Sequence, residues 1–230
     1  MIGNPGFSAR KTSAAAPVAE PAGTRVRLLV CLGNPGAEYA DTRHNLGFQV
    51  AEALLARAES SRTAAWQPGN GELHEVRLAG GGECLLLRPM TYMNASGEAV
   101  VRVTGHLGIS PSEVLVIQDC LDLPLGRLRM RPGGSDGGQR GLRSILAGLG
   151  TQAVPRLRVG IGRPQDSGSG TIEHVLGRWT SDERTLLARV LPAAAEMAEL
   201  AVAQGLDAAM RRCNVWSPDR DHAEEQGERR

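Results

Sequence analysis

The sequence predicts an α/β fold: a single domain built on a mixed, twisted β-sheet with helices on both faces. Three observations lead there. Short apolar runs of the kind that fill the middle of a sheet occur at residues 26–32 (VRLLVCL) and 114–118 (VLVIQ). Segments with apolar residues at three- and four-residue spacing lie between and after them. Strand-like and helix-like segments alternate, the order that yields a sheet covered on both sides.

Each element has its own signal. Residues 26–32 read as a buried strand. Residues 43–57 read as a helix, because Leu46, Val50 and Leu54, with Ala51 and Leu55, form one apolar stripe; Asp41 or Thr42 is placed to cap it. Residues 73–78 and 83–88 read as a hairpin turning at Gly80, Gly81 and Gly82. Residues 94–107 form a second helix, and residues 114–118 a second buried strand. Residues 127–131 alternate arginine with Leu128 and Met130, as a half-exposed strand does. A helix at 139–149, a strand at 157–161 and a long helix at 181–204 complete the pattern. Residues 1–24 are rich in Ala, Pro and Ser without apolar periodicity and read as a disordered tail; a transit peptide is a second reading of them. Residues 25–216 form the domain, and 217–230 a charged C-terminal tail.

Composition excludes several functions. The formal net charge is +1, so a nucleic-acid partner must meet a local basic patch and not a global field. Aromatic residues make up only 3%, which argues against modules that stack bases on exposed rings. The cysteines, Cys31, Cys84, Cys120 and Cys213, form no C-x-x-C pair and are expected to be reduced and buried. The histidines show no metal-ligand spacing, so neither metal nor cofactor is expected. No apolar run approaches the roughly 20 residues of a membrane helix. A cytoplasmic, monomeric protein is the expectation.

In open α/β sheets, ligands bind beyond the carboxyl ends of the strands. Asn34 follows the first strand and Asp119 the strand at 114–118. His44 lies in the first turn of the helix after Asn34, and Asn94 begins the helix at 94–107. Converged, they would suit general-base attack by water, with amides orienting the reacting carbonyl. Spacing alone leaves simpler readings open: His44 facing solvent, Asn34 and Asp119 as turn residues, Asn94 as a helix cap.

The local motifs carry more. G-N-P-G-x-x-Y-x-x-T-R-H-N-x-G at 33–47, M-N-x-S-G at 93–97, D-x-L-D-L-P at 119–124 and R-L-R-V-G-I-G-R-P at 156–164 occur in that order. Together they resemble the signature of the bacterial peptidyl-tRNA hydrolases, across about residues 25–215. The resemblance implies cleavage of the ester between a peptide and the 3′ end of tRNA, with peptidyl-tRNA as the partner. It makes His44 the catalytic base, Asp119 the residue that holds it, and Asn34 and Asn94 the amides at the ester. Tyr39 and Tyr92 match aromatic positions of the substrate site, although Tyr92 also reads as a core ring. Arg131 and Arg158 match basic positions that clamp the terminal 5′-phosphate. One segment departs from the pattern: Gln139 and Arg140 stand where the family commonly has His and Asn. That Asn helps to position substrate and water. Arg140 cannot accept a hydrogen bond, so it is expected instead to contact tRNA phosphates.

Two rival functions stay open at this level. Gly133-Gly134-Ser135-Asp136-Gly137 matches G-x-S-x-G, with Asp166 or Asp182 and His174 or His222 downstream as triad partners. The arginine-rich strand before it is unlike the buried strand a nucleophile elbow follows. The second rival is a non-catalytic RNA-splicing cofactor of the same fold.

Overall fold

A computed structural model describes residues 25–164 and 170–218. The segment 1–24 lies outside the described residues, as does all of 217–230 except Ser217 and Pro218. One seven-stranded sheet organises the chain, in the order β2-β3-β4-β1-β5-β7-β6. Its middle is parallel: β1 (Leu28–Cys31) lies between β4 (Glu83–Pro89) and β5 (Val114–Cys120), and β5 runs alongside β7 (Arg156–Gly160). The flanks are antiparallel, with β3 (Gly71–Leu78) and β2 (Ala58–Thr63) beyond β4 and β6 (Leu128–Arg131) beyond β7. The four parallel strands end at the same edge. The predicted mixed sheet is therefore present, and the two buried runs are its central strands.

Both faces are covered. α1 (Leu46–Arg57), α5 (Ser181–Gln204) and α6 (Leu206–Val215) pack on one face against Leu29, Leu115, Leu157 and Met130. α2 (Ser96–Leu107) and α3 (Arg140–Leu149) pack on the other against Leu28, Val30, Val114 and Val116. The chain leaves β1 through α1 on one face and β4 through α2 on the other. This divergence opens a crevice at the carboxyl edge, where α/β folds place their ligands.

Five elements differ from the sequence expectation. The helix expected from 43 begins as a 3-10 turn, Arg43–Asn45, and only then becomes α1. Neither expected cap acts there: Thr42 donates its hydroxyl to the Tyr39 carbonyl 2.8 Å away, and Asp41 pairs with Arg184. Asn94 is likewise no cap but the middle of a 3-10 turn, Met93–Ala95, ahead of α2. β2, the short α4 (Thr171–Leu176) and α6 were not foreseen.

Candidate active site

The crevice opens into a cavity of about 1090 Å³. It is lined by Asn34, Tyr39, His44, Tyr92, Asn94, Asp119, Arg131, Arg140 and Arg158, all the site residues expected from sequence. Five separate stretches of chain supply them, and the local structure explains how they meet.

The turn carrying His44 reaches the strand ends because Gly47 has no side chain. A Cβ there would lie 2.4 Å from the Leu32 carbonyl oxygen and 2.7 Å from that of Ile117. Only glycine lets the start of α1 rest on the backbone of β1 and β5. His44 Nδ1 is then 3.1 Å from Asp119 Oδ2, at the end of β5. Asp119 is 3% exposed, and its second oxygen, Oδ1, accepts the Gln139 side-chain N–H at 3.0 Å. A carboxylate that accepts at Oδ2 requires the imidazole proton on Nδ1, which leaves Nε2 as a base.

Asn34 is fixed twice. Asn45, 1% exposed, accepts the Asn34 backbone N–H and donates to its carbonyl, each at 2.8 Å. The Asn34 side-chain oxygen accepts the Met93 N–H at 2.8 Å. That bond assigns the oxygen end of the amide inward and leaves the Nδ2 end as the donor on the cavity side. The same bond ties the Asn34 loop to the turn carrying Asn94, whose side chain is exposed. Tyr92, 66% exposed, is on the cavity wall and is not a core ring. Tyr39 is half-buried on the wall.

Arg131 and Arg158 sit on one sheet face of the antiparallel pair β6 and β7. Arg131 is opposite Arg156 and Arg158 opposite Arg129, so the two are diagonal neighbours. Arg158 donates to Cys120 Sγ at 2.9 Å and pairs with Asp122 at 3.6 Å, whereas Arg131 makes no ion pair among the described residues. Arg140 opens α3, exposed at the cavity rim. Arg156, which sequence reasoning passed over, is only 3% exposed and holds the glycine-rich loop by donating to the Gly134 and Ser135 carbonyls, both at 2.9 Å. Burial, and then the neighbouring Arg158, hold its guanidinium below the ordinary arginine range.

Other missed residues brace the site from behind. Arg43 donates twice to Glu183 (2.8 and 2.7 Å), reaches the His174 and Arg178 carbonyls, and lies over the Trp179 ring. It thus joins the His44 turn to α4 and to the start of α5. The T-R-H-N motif contained both Arg43 and Asn45, but their partners are distant in sequence. All four cysteines are free and buried, as expected. Burial pushes the Cys84 and Cys213 thiols up to about 12 and Cys31 higher still. Among the described residues, no group of three or more His, Cys, Asp or Glu is gathered as a metal ion requires.

The serine-hydrolase reading finds no support. β6, which precedes the G-x-S-x-G segment, is the edge strand of the sheet. His174 faces the Ile161 carbonyl at 3.2 Å, and among the described residues no hydrogen bond joins Ser135 to a histidine. Asp166 and His222 lie outside the described residues.

Fold and site describe an α/β domain whose cavity holds a His–Asp pair of the kind suited to activating water for hydrolysis. The comparison with known proteins narrows that class. Residues 28–223 match the family model described as peptidyl-tRNA hydrolase. The peptidyl-tRNA hydrolase of Trichormus variabilis is 44% identical over 205 residues, covering 87% of this chain and 96% of that protein. That of a Nostoc species is 45% identical over 192 residues, covering 82% and 94%. The crystal structure of peptidyl-tRNA hydrolase from Acinetobacter baumannii superposes with a TM-score of 0.77 at 35% identity, over 85% of this chain and 97% of that one. This chain belongs to the peptidyl-tRNA hydrolase family. Nothing in these matches supports the splicing-cofactor reading.

Proposed function

We propose that the protein hydrolyses the ester between a peptide and the 3′ end of tRNA by attack of a water that His44 deprotonates. The observation that carries the reading is the 3.1 Å contact between His44 Nδ1 and Asp119 Oδ2, which presents Nε2 to the cavity as a base. Nε2 takes a proton as the water oxygen bonds to the ester carbon. The Asp119 carboxylate stabilises the imidazolium. The carbonyl oxygen gains charge opposite the Asn34 and Asn94 amides. When the ester C–O bond breaks, the imidazolium returns the proton to the departing 3′ oxygen of the ribose. Free tRNA and a peptide carboxylic acid result.

Substrate grip comes mainly from the RNA end, because the peptide varies. Arg131 and Arg158 are suited to the terminal 5′-phosphate, and Arg140 to a phosphate near the 3′ end. Tyr39 and Tyr92 offer ring faces along the path of the substrate. Every residue invoked lines one cavity of one chain, which supports a monomer as the working unit. Among the described residues no helix is long and apolar enough to cross a membrane, and the cytoplasm, where translation releases such substrates, is the proposed location.

Single-turnover hydrolysis of an N-acylaminoacyl-tRNA tests the base. His44→Ala is expected to slow the chemical step about 10²–10⁴-fold while tRNA binding is kept. Ser135→Ala should turn over normally, with no acyl-enzyme trapped. Near-normal hydrolysis by the His44→Ala enzyme would sink the mechanism.

A further inference from the structure

Gln139 stands where the family resemblance places a histidine, and it is buried, 9% exposed, at the N-terminus of α3. Its side chain is committed at both ends. Oε1 accepts the Leu142 backbone N–H at 2.9 Å, capping the helix. Nε2 donates to Asp119 Oδ1 at 3.0 Å and lies 3.4 Å from Met93 Sδ. The two ends cannot be exchanged. A flipped amide would set N–H against N–H at Leu142 and oxygen against the carboxylate at Asp119. The helix therefore fixes the polarity of the amide, and the amide passes that polarity on to Asp119.

We propose that Gln139 is a positioning residue. It locks Asp119 so that Oδ2 alone faces His44 Nδ1, and so sets the tautomer in which Nε2 can act as base. This rests on the reading of His44 as the base. An amide has a further consequence that an imidazole in the same place would not. It does not titrate between about pH 5 and 8, so its donor to Asp119 persists across that whole range.

The logic can be tested by exchanging the two groups. In Asp119→Asn, the Gln139 N–H still claims the oxygen at position 119, so the new amide turns its N–H₂ toward His44 Nδ1. That enforces the wrong tautomer and puts the imidazole proton on Nε2. In Gln139→Glu, the helix cap survives, but the donor to Asp119 is lost and two carboxylates face each other, a pair that shares a proton as the pH falls. In the double variant Asp119→Asn/Gln139→Glu, the carboxylate at 139 accepts from both Leu142 and the amide at 119. The amide oxygen is then turned back toward the His44 Nδ1–H.

The measurements are kcat and KM on an N-acylaminoacyl-tRNA, and melting temperature, for the wild type, both single variants, the double variant and His44→Ala. Each Asp119 or Gln139 single variant is expected to lose about tenfold or more in kcat with little change in KM. The double variant should exceed Asp119→Asn by about tenfold, a coupling that independent structural damage cannot produce. The kcat/KM profile of Gln139→Glu should move toward lower pH, where the shared proton restores a donor. A double variant no faster than Asp119→Asn, or a Gln139→Glu enzyme with wild-type kcat, overturns the proposal. Should Gln139→Glu not fold, Gln139→Met removes the donor at similar volume, and wild-type kcat in that folded variant overturns it equally. An impaired His44→Ala beside an unimpaired Gln139→Glu rejects the role of Gln139 alone; an unimpaired His44→Ala rejects the base on which it rests.

Discussion

Replacing Asn45 by alanine should damage both stability and rate, and the size of each effect can be worked out. Asn45 is buried and gives both of its amide functions to the Asn34 backbone, at 2.8 Å each. Its removal leaves an N–H and a C=O without partners in a place that is itself only 8% exposed. Each unpaired buried group costs about 1–3 kcal/mol, so Asn45→Ala should lose about 2–6 kcal/mol. In a domain of this size, at about 2–4 °C per kcal/mol, that lowers the melting temperature by about 4–24 °C. Urea unfolding should show a lower midpoint with an unchanged slope. Hydrolysis measured below the transition should fall about tenfold to a hundredfold, because the Asn34 amide is no longer aimed; deleting an oxyanion donor outright costs about 10²–10³-fold. Asn45→Asp is the informative control. It keeps the acceptor for the Asn34 N–H but sets a carboxylate oxygen against the Asn34 carbonyl. It should be at least as harmful near neutral pH and recover on acidification. An Asn45→Ala enzyme that melts within about 2 °C of the wild type at normal kcat would refute the reasoning.

Two further outcomes follow from the arginines. Arg158→Ala, or removal of the substrate's terminal 5′-phosphate, should raise KM and flatten the salt dependence of binding. Combining the two should cost little more than either alone, and fully additive losses would show that Arg158 contacts something else. Burial raises the pKa of Glu183, but the two-pronged Arg43 contact together with the Thr180 backbone and hydroxyl outweighs it and holds the carboxyl below its ordinary value of 4.5. A depressed carboxylate stabilises the fold above its unfolded pKa and loses that contribution as pH falls through the folded value. The stability gap between wild type and Glu183→Gln should therefore be open at about pH 7 and narrow as the pH falls below 4.5 in urea titrations; a gap that does not change would remove Glu183 as its source.

Much of this was legible in the sequence, for a physical reason. The strands at the sheet centre are apolar on both faces, so β1 and β5 appear as continuous hydrophobic runs. α5 announces its start because Thr180 and Glu183 form a capping box, and its predicted bounds agree with the structure. β2 gave no such signal. Its AESSRT sequence is exposed along nearly its whole length, and it follows α1 without a turn. α6 was missed because its work is partly polar: Asn214 bonds the Met130 backbone through both ends of its amide and so closes the free edge of β6.

The site divides along a similar line. The placement of His44, Asp119, Asn34 and Asn94 was legible because ends of strands and starts of helices meet at the carboxyl edge of the sheet, and all four line one cavity there. Asn45, Gln139, Arg43 and Arg156 are a different kind of residue. Each spends its polar atoms on groups that chain order does not reveal, such as the Asn34 backbone, Asp119, Glu183 and the loop carbonyls at Gly134 and Ser135. Gln139 was further disguised because glutamine is not among the preferred N-cap residues and reads as an ordinary helical position. Period-two alternation does place Arg129 and Arg131 on one side of β6. Only the antiparallel register with β7 shows that Arg156 and Arg158 share that side, and only burial separates Arg156 from Arg131 and Arg158. The unread half of the site is thus the half that determines its rigidity. A buried polar group is stable only when fully paired, so these partners are as constrained as the residues they hold. Substituting any of them should change the rate through the geometry of His44 or Asn34, although none needs to touch the substrate.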